Sequence, residues 1–140
     1  MTSAPKALVT GASGNIGSKL VRKLVQNGWQ VFALSRFDSF SELSAVTTIK
    51  TDWDHGIEFD CPKVSHVFHL ASQTSAYVAR ANVYQDAMTN VLGTISILES
   101  IRKAKINPHF IQAGSMTEFG LNDKLKLNET VPLNPSTFYD

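Results

Sequence analysis

The sequence has 140 residues, of which 43% are apolar and 18% charged, and its formal net charge is +1. This balance describes one soluble globular domain, 1–140, large enough to bury roughly two thirds of its unfolded surface. It excludes a partner attracted by bulk charge, whether nucleic acid or an anionic membrane, and no run approaches the ~20 apolar residues of a membrane span.

The N-terminus, Met1-Thr-Ser-Ala-Pro5, lacks the apolar core of a signal peptide. The single cysteine, Cys61, rules out an internal disulfide and fits a reducing compartment, so the expected location is cytoplasmic. The first element is an apolar strand at about 6–11, Lys6-Ala-Leu-Val-Thr-Gly11. It runs into glycines at 11, 14 and 17 and then into an amphipathic helix. Gly11 allows a tight turn at positive φ, Gly14 clears space for phosphates, and Gly17 lets the helix pack close to the strand. Ile16, Leu20 and Leu24, with Val21 and Val25 beside them, form the expected apolar face, and Asn27-Gly28 stops the helix. A strand followed by a glycine loop and a helix N-terminus is an anion site suited to a pyrophosphate, so the chain is expected to bind a dinucleotide.

Further strands are expected at about 30–35, 46–51, 65–71 and 109–114, with a short helical turn at Ser39–Leu43. A long helix is expected over 83–104, carrying Val91, Ile95, Leu98 and Arg102 on successive turns and ended by Asn107-Pro108. Residues 121–138 look like an ordered surface loop. Alternating strands and helices predict an α/β, Rossmann-like, doubly wound parallel sheet of about five strands in the order 3-2-1-4-5. The 109–114 strand then lies at an edge, which something else must cover unless the polypeptide is longer. At the end of the second strand, a carboxylate favours NAD by accepting from the ribose 2′-OH, whereas arginine suits the 2′-phosphate of NADP. The chain has Ser35 and Arg36 there and no acid, although Asp38 two residues on could still turn inward. The expected cofactor is therefore NADP, with NAD as the alternative. His69 has no second ligand at helical or strand spacing, so it is read as a packed, hydrogen-bonded histidine and no metal is expected.

Thr10-Gly-Ala-Ser-Gly-Asn-Ile-Gly17 resembles the TGxxGxxG fingerprint of the extended short-chain dehydrogenase/reductases, the NAD-dependent epimerase/dehydratase group, with Asn15 where an aromatic residue is usual. Other segments follow in that family's order and cover nearly the whole chain. His66-Val-Phe-His-Leu-Ala-Ser72 is similar to VxHxAA, and Asn90-Val-Leu-Gly-Thr94 matches NVxGT. The resemblance implies cofactor contacts by Gly11, Ser13, Gly14, Asn15, Ile16 and Gly17 in the loop, by Ser35 and Arg36, and by Asp52 and Trp53 after the third strand. It also implies Leu70, Ala71 and Ser72 as a cofactor wall and Asn90 as a buried polar support.

Phe110–Gly120 resembles FVxxSSxxVYG and places Ser115 at the catalytic hydroxyl position; Asn128–Asp140 resembles ExxPxxPxxxYxxxK and places Tyr139 at the acid/base and a cofactor contact. The implied chemistry is hydride transfer at a nicotinamide, with a Ser/Tyr/Lys set whose lysine would fall past Asp140. Free tyrosine titrates at about 10, so an efficient base needs that lysine. Met116 and Thr117 stand where dehydratases carry acids, which argues for an epimerase or reductase acting on a nucleotide sugar. The expectation is a cofactor-binding part whose C-terminal substrate domain is absent, inactive by itself, with a homodimer possible. The alternative is a non-catalytic dinucleotide-binding sensor or partner module.

Overall fold

The computed structural model describes residues 3–51, 57–120 and 126–140. Its five strands are β1 (Lys6–Thr10), β2 (Gln30–Ser35), β3 (Val46–Lys50), β4 (His66–His69) and β5 (His109–Gln112). They form one sheet in the order β3-β2-β1-β4-β5, with every neighbouring pair parallel. The order reverses between β2-β1 and β4, which puts the sheet's topological switch point at the C-terminal ends of β1 and β4, where α/β sheets hold ligands.

Because side chains alternate along a strand, β1 feeds both faces of the sheet. Ala7 and Val9 pack into one core with Val31, Ala33 and Phe40, against Val21 and Leu24 of α1 (Asn15–Gln26). Leu8 points the other way, into a second core with Leu34, Val67, Ile97 and Ile101. The two cores explain why the central strands read as nearly unbroken apolar runs.

The start of α1 departs from the sequence expectation. Ile16 is 68% exposed, and the buried face is Gly17, Val21 and Leu24. Ile16 sits in the first turn, ahead of where the helix meets the sheet. At the other end the stop is a Schellman motif: Trp29 N donates to Leu24 O, Gly28 N donates to Val25 O, and Gly28 has φ +78°. At the expected helical turn at 39–43 a single hydrogen-bonded turn forms, with Leu43 N donating to Phe40 O, and it does not extend into a helix.

The long helix is also divided. A short α2 (Ala76–Ala81), capped by Ser75, precedes α3 (Val83–Ala87), capped by Asn82. A π-helical turn, Met88–Leu92, then leads into α4 (Gly93–Lys103). The face of α4 that meets the sheet is Gly93, Ile97, Ser100 and Ile101. Val91, Ile95 and Leu98 face outward. β5 lies at the sheet edge with Phe110 and Ile111 half-buried. Among the described residues no helix is long and apolar enough to cross a membrane.

Candidate functional site

The glycine loop is built by close backbone approaches. Gly11 has φ +63°, and a Cβ on it would lie 2.8 Å from Ala71 N. A Cβ on Gly17 would collide with the Gly11 carbonyl oxygen and lie 2.9 Å from Ala12 Cα. Gly14 N donates to Gly11 O at 2.9 Å, which closes the turn. Gly14 is the N-cap of α1; it offers no side-chain acceptor, and the first turn carries no acid. The leading N–H groups of a helix have no intrahelical partner, and at α1 they open onto solvent beside exposed Ser13, Gly14, Asn15 and Ile16. An anion meets a positive helix end there, with no carboxylate in the helix's own first turn.

The exit of β4 is pinned to this loop by Thr10. Its buried Oγ1 accepts from Leu70 N (3.1 Å) and Ala71 N (3.0 Å). Both lone pairs are then in use, so the hydroxyl hydrogen goes to His69 Nδ1 at 2.8 Å. This fixes the neutral imidazole with its proton on Nε2, which donates to Thr94 Oγ1 at 3.0 Å. Thr94 in turn donates to Asn90 O at 2.7 Å, on the π-helical turn. Burial lowers the His69 pKa to about 4. The histidine is packed and hydrogen-bonded, as its sequence context suggests. Turns of π-helix are frequent at functional sites.

Asn90 is half-buried and spans the next gap. Its Oδ1 accepts from Gln73 N (2.8 Å) and Ser72 Oγ (3.0 Å), and its Nδ2 donates to Gln73 O (3.1 Å). Leu70, Ala71, Ser72 and Asn90 are therefore gathered beside Gly11. The sequence reading did not single out Thr10, Gln73 or Thr94 as site residues. Thr10 stood in the fingerprint itself, and Thr94 in the NVxGT segment; Gln73 had no signal of its own.

At the β2 end the outcome is mixed. Ser35 is buried and its Oγ accepts from Phe37 N at 3.2 Å, so it shapes the turn. Arg36 is exposed and lies over the Phe37 ring, 5.7 Å from its centroid. Arg36, Phe37, Lys50 and Thr51 line one shallow hollow. Asp38 accepts from Thr48 Oγ1 at 3.0 Å and is thus engaged by β3. Asp52 and Trp53 lie outside the described residues.

Ser115 caps the 3₁₀ turn Met116–Phe119, accepting from Thr117 N at 3.2 Å, and its Oγ is 2.7 Å from Thr117 Oγ1. The C-terminal segment docks against this turn: Asn134 N donates to Glu118 O at 2.9 Å. The Thr117 hydroxyl and the Ser136 and Thr137 backbone N–H groups hold the Asp140 carboxyl down to about 2. Tyr139 is half-buried next to Asp140. Among the described residues, no hydrogen bond joins Tyr139 to Ser115.

Comparison with known proteins places nearly the whole chain in one family. The model of the NAD dependent epimerase/dehydratase family matches residues 7–140. A putative UDP-glucose 4-epimerase of Methanocaldococcus jannaschii is 32% identical over 140 residues, covering 94% of this chain and 45% of that protein. UDP-glucuronate 4-epimerase 5 of Arabidopsis thaliana is 29% identical, covering 87% of this chain and 32% of its own length. The solved structure of MoeE5 in complex with UDP-glucose and NAD superposes with a TM-score of 0.83 at 30% identity, over 96% of this chain and 44% of that one. The chain thus spans less than half the length of these relatives.

Proposed function

The chain belongs to the NAD dependent epimerase/dehydratase family, and on that premise we propose that it is the dinucleotide-holding part of a nucleotide-sugar 4-epimerase. The observation that carries the reading is the Gly11–Gly17 loop at the unopposed N-terminus of α1, with the β4 exit packed against it. The residues fit the group: a Cβ at Gly11 or Gly17 would fill the space that the tight loop needs. The N–H groups of Asn15, Ile16 and Gly17, with Ser13 beside them, would hold a pyrophosphate, while Leu70, Ala71 and Ser72 would wall the cofactor.

When bound, the dinucleotide supplies reversible hydride exchange at its nicotinamide ring. In this reading Ser115 donates a hydrogen bond to the sugar oxygen and Tyr139 exchanges its proton. Thr117 already engages Ser115 Oγ at 2.7 Å, so substrate would have to share that hydroxyl. The relatives' names, UDP-glucose and UDP-glucuronate 4-epimerases, support a UDP-sugar substrate and epimerisation. The free thiol of Cys61 goes with a cytoplasmic setting. The exposed apolar residues Tyr84, Val91, Ile95 and Leu98 support packing of this face against another surface, such as a second copy in a homodimer.

Cofactor choice is the finer question. The family is NAD dependent and MoeE5 was solved with NAD, which gives no support to a preference for NADP. The local chemistry argues the other way: the β2 end offers Arg36 and Lys50 around one hollow, and Asp38 is held by Thr48. Titration of the chain with NADPH and NADH, read by fluorescence, separates the two. An NADPH preference that falls about tenfold in Arg36→Ala is the expected result. Equal or tighter NADH binding by the unaltered chain returns the site to NAD.

The catalytic assignment is tested in a polypeptide that also carries the relatives' remaining length. UDP-sugar interconversion is expected there, and Tyr139→Phe should slow turnover by about a hundredfold with substrate binding retained. Dinucleotide binding with no turnover on any UDP-sugar would favour the non-catalytic module.

A further inference from the structure

One buried carboxylate has no part in the roles above. Asp86, on α3, is 3% exposed. Its Oδ1 accepts from Gln73 Nε2 at 2.7 Å and from Asn90 Nδ2 at 3.2 Å. Among the described residues no cation lies within ion-pair distance of it. A buried charge is costly unless its hydrogen bonds are well made, and here two neutral amides make them.

The partner Gln73 is fully committed. Its Nε2 donates to Ser75 O (3.0 Å) as well as to Asp86, and its Oε1 accepts from Ser75 N (2.6 Å). Its backbone N and O are both bonded to the Asn90 side chain. The segment that follows β4 thus has two anchors of different origin. Leu70 and Ala71 are held from the sheet by Thr10. Ser72 and Gln73 have left the sheet, and their side-chain and backbone ties run to Asn90 and Asp86, while Ser75 is bonded to the Gln73 side chain and caps α2.

We propose that Asp86, acting through Gln73 and Asn90, is a positioning residue that sets the Ser72–Ser75 segment as one wall of the dinucleotide site. The inference rests on the reading above that this end of the sheet holds a dinucleotide. A carboxylate suits the position because it only accepts, and two amide N–H groups converge on one of its oxygens. Asp86 and Asn90 are four residues apart, one at the end of α3 and one in the π-helical turn, so the turn's geometry and the wall's position are set together.

The test is dinucleotide affinity of the whole chain, read by fluorescence titration with NADH and NADPH, with circular dichroism to confirm folding. Asp86→Asn keeps an acceptor oxygen and is expected to bind within about threefold of the unaltered chain. Asp86→Ala is expected to lose about tenfold or more. Rescue by the conservative variant is something a general loss of packing would not give. Should Asp86→Ala fail to fold, Gln73→Ala carries the test, because its side chain forms the same tie from the loop side, and a comparable loss is expected. Folded Asp86→Ala or Gln73→Ala binding within twofold of the unaltered chain overturns the proposal. Absence of binding by the unaltered chain overturns the dinucleotide reading itself, and the proposal with it.

Discussion

Gly17→Ala is expected to destabilise the fold by about 3 kcal/mol or more and to abolish dinucleotide binding, both read on one sample by denaturation and fluorescence titration. The cost comes from what the new Cβ would meet. It would collide with the Gly11 carbonyl oxygen and sit 2.9 Å from Ala12 Cα, both of them backbone. Neither has room to give way. The Gly11 carbonyl accepts from Gly14 N, and on its other side Gly11 is packed against the Leu70–Ala71 backbone. Gly28→Ala is the control. Gly28 also has positive φ, +78°, yet nothing lies within 4 Å of its Cβ position. Only the left-handed backbone strain remains there, about 1 kcal/mol. If Gly17→Ala costs no more than Gly28→Ala, the close-packed loop is not what limits substitution, and the site has slack that the geometry denies.

The contrast between those two glycines also marks how far sequence reading reaches. Gly17 was legible as the point of close helix–strand packing and Gly28 as the helix stop, and the 3-2-1-4-5 order followed from the alternation of apolar runs and helices. The apolar runs in β1 and β2 are long because both faces of the sheet are covered, so the strands showed plainly. The faces of the helices did not. The π-helical turn at Met88–Leu92 fits an extra residue into one turn, which rotates everything after it. Val91, Ile95 and Leu98 keep an apolar spacing, but the rotation leaves them outward and buries Ile97 and Ile101 instead. At α1 the competing signal was Ile16, whose apolar side chain belongs to the loop mouth rather than to the core.

The site itself was legible only where a local motif carried it. The loop glycines, Leu70, Ala71 and Asn90 came from contiguous segments, and the structure gathers them in one place. The polar ties from Thr10 that hold the β4 exit were not visible, because they join residues 59 to 61 positions apart. Thr10 reaches His69 because β1 and β4 pair in parallel with those two residues opposite each other. No periodicity in the chain encodes that register; it emerges only once the strands are side by side.

That register leads to a pH dependence. His69 should make the fold lose about 3 kcal/mol of stability as the pH falls from 7 to 4. Burial holds its pKa at about 4, against an unfolded value near 6.5. The folded state therefore binds the proton less readily than the unfolded chain. The contribution is fully present above about pH 6.5 and is lost as the pH falls toward 4. The hydrogen bonds oppose protonation in the same direction. A proton on Nδ1 would face the Thr10 hydroxyl hydrogen, and Thr10 has no free lone pair to turn toward it while Leu70 N and Ala71 N are bound. Charging His69 thus works against the bonds that hold the β4 exit beside the glycine loop. Denaturation midpoints taken between pH 7.5 and 4 for the unaltered chain and for His69→Gln separate this from carboxylate titration, which both share. The variant is expected to be less stable at pH 7 and to lose less on acidification, by up to one proton's worth of slope between pH 6.5 and 4. Equal slopes would mean that His69 titrates as an open imidazole, and the Thr10–His69–Thr94 chain would then be too loose to fix the site.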